Sequence, residues 1–286
     1  MELGRLGVWY GMDRLRPSEI APFLATVEGL GYSALWYPEA LGFESFSMAG
    51  YLLANSSKLV VGSSIANIYA RDAFTARRGM LSLNALYGDR FVLGLGVSHM
   101  PMVEGLRGHQ YEKPIPAMRA YLDGIDKGQD GASGWPVALA ALGPLMLKLA
   151  RDRTRGALPY NVTPEHTARA KAILGPDKWL AVEQKVSLET DRAKARALGR
   201  AELARYMPMT NYRNSWFGMG FTEADLENGG SDRFIDAMVI SGDVATVKAG
   251  LRAHFDAGAT HVCIQPVTAP GDVAGRDAAL KALADT

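Results

Sequence analysis

The sequence predicts a (β/α)8 TIM barrel of the α/β class. Short apolar segments alternate with stretches of helical periodicity from one end to the other, and the strand count reaches eight. No strand run leads into a complete G-x-G-x-x-G; "GLGVSH" supplies only the first two glycines, which disfavours the main rival, an open doubly wound sheet. The chain has 286 residues, 48% of them hydrophobic, enough to bury the core of one such barrel. The expected organisation is a single domain over 1–286, with insertions at the C-terminal face.

The elements follow in order. "RLGVWYG" is the first strand, and Pro17 and Ser18 open a helix that stops at Gly31. "SALWYPEA" is the second strand, ended by Pro38, which has no N–H for a ladder. A helix covers 45–55. "KLVVGSSIAN" is the third strand, although Gly62, Ser63 and Ser64 interrupt its apolar run. In the helix that follows, Asp72 is the expected N-cap and Gly88 the stop, while Arg71 falls to the loop. "RFVLGLGVS" is the fourth strand; a polar segment, the helix "KPIPAMRAYLDGIDKG" and a glycine-rich loop "GQDGASG" come next. Strand five is "WPVALAAL", strand six "GALPYNVT" and strand seven "KWLAVEQKVSLE", each with a helix behind it. An irregular aromatic region over 208–242 precedes the amphipathic helix "DVATVKAGLRAHFDAGA", the eighth strand "THVCIQPV" and a last short helix.

Net charge is +1 with no block of like charges, so neither nucleic acid nor an anionic membrane is the expected partner. "RDRTR" (Arg151 to Arg155) reads as a solvated helix end. One cysteine, Cys263, excludes an internal disulfide and sits in an apolar run, as a structural thiol does. No signal-peptide design opens the chain, and no apolar run reaches the roughly 18 residues of a membrane span. A cytoplasmic protein is expected.

In such a barrel, chemistry gathers at the C-terminal ends of the strands. Those ends bring forward Tyr10–Met12, Pro38 and Glu39, Ser63–Asn67, Gly96–His99, Ala140–Gly143, Asn161, Thr163 and Gln265. Glu39 is the one carboxylate at an early strand end. It is either a general acid–base or the partner of a loop arginine. His99 is the only histidine near a strand end. His109, His166 and His254 read as loop or helix-surface residues, and His261 begins a strand. Nothing has HExxH spacing, so no metal site is expected, and without GxSxG a serine hydrolase is disfavoured. Lys185 reads as a barrel-interior lysine paired with Glu183 or Glu189. "AALGP" is either a tight turn or a place where backbone N–H groups meet an anion at a helix N-terminus.

Taken together, "LGVWYG", "GYSALWYPEA", "LVVGSSIANIYARDAFTARRGMLSLNALYGDRFVLGLGVS", "PVALAALGPLMLKLA" with "GALPY", and "VATVKAGLRAHFDAGATHVCIQPV" resemble the luciferase-like monooxygenase superfamily, especially its coenzyme F420-dependent oxidoreductases. The pieces keep the family's order over nearly the whole chain. The resemblance implies a homodimer with a deazaflavin ring at the barrel mouth, passing hydride between its C5 and a small organic substrate. It implies a non-proline cis peptide at Ser64–Ile65, forming a bulge behind the ring, with Asn67 at its edge. Gly96, Val97 and Ser98 would flank the ring. Ala140, Ala141, Leu142 and Gly143 match the phosphate-binding backbone. Glu39 stands where related sugar-phosphate dehydrogenases carry a catalytic histidine, and would be the proton-exchanging residue. "GVSHM" departs from the acidic and amide residues of those dehydrogenases, so the same sugar is not expected. The aromatic stretch from Tyr206 to Phe221 would cover the substrate. The alternatives are an FMN-dependent monooxygenase of the same barrel and a non-catalytic flavin-binding barrel.

Overall fold

The computed structural model describes residues 1–127 and 134–286. The loop expected at "GQDGASG" therefore lies outside the described residues, apart from Gly134. Strands β1 (Leu6–Trp9), β2 (Ala34–Tyr37), β3 (Val60–Ser63) with its continuation β4 (Ala66–Asn67), β5 (Phe91–Gly96), β6 (Val137–Leu139), β7 (Gly156–Ala157), β8 (Trp179–Ser187) and β10 (His261–Pro266) form a closed parallel barrel. Closure runs through β8 and β10, paired from Ala181↔His261 to Val186↔Pro266, and through β10 and β1. The expected eightfold barrel is the one observed.

Helices fill the outer ring because each carries one apolar stripe. In α1 (Pro17–Gly29) the stripe is Ile20, Phe23, Leu24 and Val27, spaced to lie on one face. In α3 (Ala73–Tyr87), Asp72 caps the start by accepting from Thr75 N at 2.8 Å, and Gly88 ends it with φ +67°. The ring continues with α2 (Ser45–Ala54), α4 (Pro114–Asp126), α5 (Pro144–Arg153), α6 (Pro164–Leu174), α11 (Val244–Asp256) and α12 (Val273–Leu283).

Between β8 and α11 the chain leaves the ring to form the insertion, α7 (Arg192–Leu203), α8 (Thr210–Gly218), α9 (Glu223–Leu226) and α10 (Asp232–Met238). It has its own core around Trp216, Phe221, Phe234 and Ile235. Arg196 and Arg200 of α7 tie it to Asp232 and Asp236 of α10.

Some expectations need correction. The insertion ends in a strand, β9 (Val239–Ser241), which pairs with β8 at Lys185–Ser187. Three residues directly after a helix give too little period-two pattern to announce a strand. The polar segment after β5 holds a π-helix, Pro101–Leu106. His166 and His254 are not surface residues: both are buried. His254 continues the apolar face of Val247 and Leu251, and its ring is satisfied by Thr167 Oγ1 and Gln184 Oε1. Cys263 is a buried thiol whose Sγ lies 3.3 Å from Val182 O, with burial pushing its pKa up. Among the described residues, no helix is long and apolar enough to cross a membrane.

Candidate active site

The interruption in the third strand has a structural cause. β3 pairs Gly62 with Val92, and β4 pairs Ala66 with Leu95, so the third strand carries one more residue than β5 across the gap. That is a β-bulge. The Ser64–Ile65 peptide within it is cis. Ser63 Oγ donates to Gly94 O at 2.9 Å and accepts from Gly94 N at 3.0 Å, replacing the lost ladder bonds. Ser64 Oγ accepts from Trp9 Nε1 at 3.1 Å. Both serines thus satisfy polar groups that an apolar strand would leave unpaired. Gly94 is required because a Cβ there would sit 1.9 Å from Ser63 O.

Glu39 clamps the bulge from β2. Its backbone N donates to Ile65 O at 3.3 Å, and its Oε2 accepts from Asn67 N at 2.8 Å. Both carboxylate oxygens also take Arg71, Oε1 from NH2 and Oε2 from NH1, in a bidentate pair. Arg71 NH2 reaches Glu44 Oε1 at 2.9 Å as well. The Arg71 and Glu39 side chains are 9% and 3% exposed, so this is an interior ion pair. Arg71, which the sequence leaves in a loop with no part in the site, is its central cation. Of the two readings open for Glu39, the structure holds the salt bridge. Its oxygens are occupied by three N–H donors, which suits holding a shape better than exchanging protons.

The other residues expected at the cofactor come together in part. A Cβ on Gly96 would lie 2.5 Å from Ile65 Cγ1 and 3.4 Å from Ala140 Cβ. Ile65 in the bulge, Gly96 at the end of β5 and Ala140 just after β6 thus lie side by side. Val97 and Ser98 follow Gly96, half-buried, with Ser98 at φ +56°. Ala140 differs from expectation: its N–H is taken by Leu95 O at 2.9 Å, so it offers a methyl and no donor. The N–H groups of Ala141, Leu142 and Gly143 have no acceptor among the described residues. Gly143 caps α5, and the space at its Cα is open.

The mouth also holds an aromatic and polar cluster, in which the Lys185–Glu183 pairing is as expected and Tyr160 is the member that sequence reasoning passed over. Lys185 Nζ donates to Asn161 Oδ1 at 2.6 Å and to Glu183 Oε1 at 3.2 Å, and lies 3.9 Å from the centroid of Tyr160. Burial pushes Lys185 down and Glu183 up, and each partner's charge pulls back. Asn161 Nδ2 is buried without a partner among the described residues, a group that costs about 1–3 kcal/mol unless something satisfies it. The Tyr160 ring stands 5.0 Å from Trp9 and 6.2 Å from Tyr212 of the insertion. His99 completes the group, 5.8 Å from Tyr212; burial lowers its pKa, against the opposing hydrogen bond of Asn211. A tyrosine at a strand end is the one signal that pointed to Tyr160.

The chain belongs to the luciferase-like monooxygenase family, whose model matches residues 3–261. A Mycobacterium tuberculosis protein whose name assigns it to the coenzyme F420-dependent oxidoreductases is 27% identical over 263 residues, 88% of this chain and 70% of that protein. The structure of an F420-dependent secondary alcohol dehydrogenase with an F420–acetone adduct superposes with a TM-score of 0.77 at 13% identity, covering 100% of this chain and 98% of that one. The FMN-bound oxygenating constituent of 3,6-diketocamphane monooxygenase from Pseudomonas putida gives 0.74 at 13% identity, covering 98% and 97%. At 13% identity these two likenesses are of fold.

Proposed function

We propose that the protein is an F420-dependent oxidoreductase acting on a small organic substrate at the barrel mouth. The observation that carries the reading is the bulge with its neighbours: Ile65 in the bulge, Gly96 at the end of β5 and Ala140 after β6 form a wall of small and aliphatic groups. The residues present fit a planar deazaflavin there. The wall suits one face of the ring, and the unpaired N–H groups of Leu142 and Gly143 at the start of α5 suit its phosphate. The name of the Mycobacterium tuberculosis relative supports F420 as the cofactor. When bound, that cofactor supplies hydride chemistry at C5.

The chain's own residues bind, orient and exclude water. Glu39 and Arg71 hold the bulge in register, as positioning residues. With Glu39 engaged, His99 is the group free to move a proton, because burial keeps its ring neutral and a neutral imidazole both donates and accepts. Tyr206 and Tyr212 of the insertion close over Tyr160 and keep water from the ring.

Titrating the apoprotein with F420 and with FMN, and following tryptophan fluorescence, tests this. Trp9 touches the bulge through Ser64, so ring binding should quench it. F420 is expected to bind more tightly. Tighter binding of FMN would overturn the assignment in favour of a flavin monooxygenase.

A further inference from the structure

His166 is unused by the reading above, yet it is buried and aimed at the turn after β6. Thr163 Oγ1 caps α6 by accepting from His166 N at 3.4 Å, which puts His166 in the helix's first turn. Its Nε2 lies 2.8 Å from Leu142 O. A carbonyl oxygen only accepts, so Nε2 carries the hydrogen and Nδ1 is bare. Among the described residues Nδ1 is buried with no partner, and burial lowers the pKa of the ring, so the ring is neutral with its single hydrogen on Nε2.

The peptide that His166 grips is the one that joins Leu142 to Gly143. Among the described residues the only cis bond is Ser64–Ile65, so this peptide is trans. In a trans peptide the C=O and the following N–H point in opposite directions. Holding Leu142 O toward α6 therefore aims the Gly143 N–H away from α6. Gly143 is the N-cap of α5, so the N–H turned away from α6 stands at the turn between β6 and α5. The Gly143 N–H meets no acceptor there among the described residues. Ala140 N is already bonded, and Pro144 has no N–H to give. A free turn samples both orientations of this peptide; the imidazole removes one.

We propose that His166 is a positioning residue for the phosphate of the bound cofactor, acting through the Leu142 carbonyl to present the Gly143 N–H to it. This deepens the F420 reading and rests on it. The test compares F420 with its phosphate-free deazaflavin core, 7,8-didemethyl-8-hydroxy-5-deazariboflavin, by fluorescence titration. His166→Leu removes the donor and keeps the bulk; His166→Gln restores an N–H of similar reach. The wild-type preference for F420 over the core should fall by about tenfold in His166→Leu, the loss of one well-aimed hydrogen bond to an anion. It should return in His166→Gln, with affinity for the core unchanged in both. An unchanged preference in His166→Leu, or equal weakening of both ligands, overturns the proposal. A second measurement needs no variant: the Gly143 amide 15N signal of the wild type should shift with F420 and not with the core, and equal shifts also overturn it. Failure of the wild type to bind either ligand refutes the cofactor reading itself, and the role of His166 with it.

Discussion

Removing the arginine should cost more than neutralising the glutamate it pairs with. Glu39 and Arg71 are 3% and 9% exposed, while Glu44, the second partner of Arg71, is 50% exposed. Arg71→Met leaves the Glu39 carboxylate interior with only the Asn67 N–H facing it. Breaking a buried pair in this way costs about 3–5 kcal/mol. Glu39→Gln is gentler. The amide oxygen still accepts from Asn67 N, and Arg71 keeps Glu44, so the loss is about 1 kcal/mol, that of one hydrogen bond. For a chain of this size about 1 kcal/mol moves the melting temperature by about 2 °C. Arg71→Met should then melt about 6–10 °C below the wild type, and Glu39→Gln only about 2 °C below it. The double variant should melt well above the value expected from adding the two losses, because the unpaired charge is gone. Calorimetry of the four proteins measures the cycle. Additive losses, or Glu39→Gln as damaging as Arg71→Met, would refute the clamp. A folded, F420-binding Glu39→Gln that is catalytically dead would return Glu39 to proton exchange.

Two further outcomes follow from buried contacts. Gly94→Ala puts a Cβ 1.9 Å from the Ser63 carbonyl oxygen, a backbone atom that cannot turn aside; it should destabilise by about 3 kcal/mol and weaken F420 binding, and wild-type affinity in a folded Gly94→Ala would remove the bulge from the site. Acid should unfold the protein early: burial lowers His254 and His261 to about 4. The unfolded chain then takes up protons first as pH falls, so stability is full above about 6.5 and drains away down to about 4, by about 3 kcal/mol per histidine. For His261 the cause is visible. Trp36 Nε1 donates to Nε2 and Nδ1 faces Gly4 O, so a second ring hydrogen would confront the Trp36 N–H. Equal urea midpoints at pH 7 and pH 4.5 would refute this.

Local patterning made the barrel legible. Short apolar runs, helical stripes, Asp72 as a cap and Gly88 as a stop are all decided within a few residues, and each stands in the structure. The strand-end rule brought forward the wall residues, because Ile65 lies in the bulge near the end of the third strand, Gly96 ends β5 and Ala140 follows β6. What it missed are partnerships between distant residues. Glu39 and Arg71 are 32 positions apart, and His166 and Leu142 are 24 apart; only closure of the ring makes them neighbours. A histidine on a helix reads as exposed when its one satisfying carbonyl belongs to another element. Lys185 and Glu183 were legible for the opposite reason: two positions apart on one strand, they share a face.

The insertion is bound to the barrel by a hydrogen-bond chain whose direction is fixed. Glu202 accepts from Arg14 at 2.9 Å, from Arg205 at 2.7 Å and from Gln265 Nε2 at 2.8 Å. Burial pushes its carboxyl up, but Lys185, Arg14 and Arg205 together hold it below the usual range, so it stays an acceptor. Gln265 must then turn its nitrogen to Glu202 and its oxygen to Tyr160, whose hydroxyl donates to it at 2.8 Å. Tyr160, its hydrogen spent, accepts from Tyr206 at 2.7 Å. The chain therefore ends on the Tyr206 oxygen, which has lone pairs to offer and no hydrogen. The insertion is thus joined to the barrel's polar interior at both ends of this chain, through Tyr206 on Tyr160 and through Glu202 of α7 on Gln265.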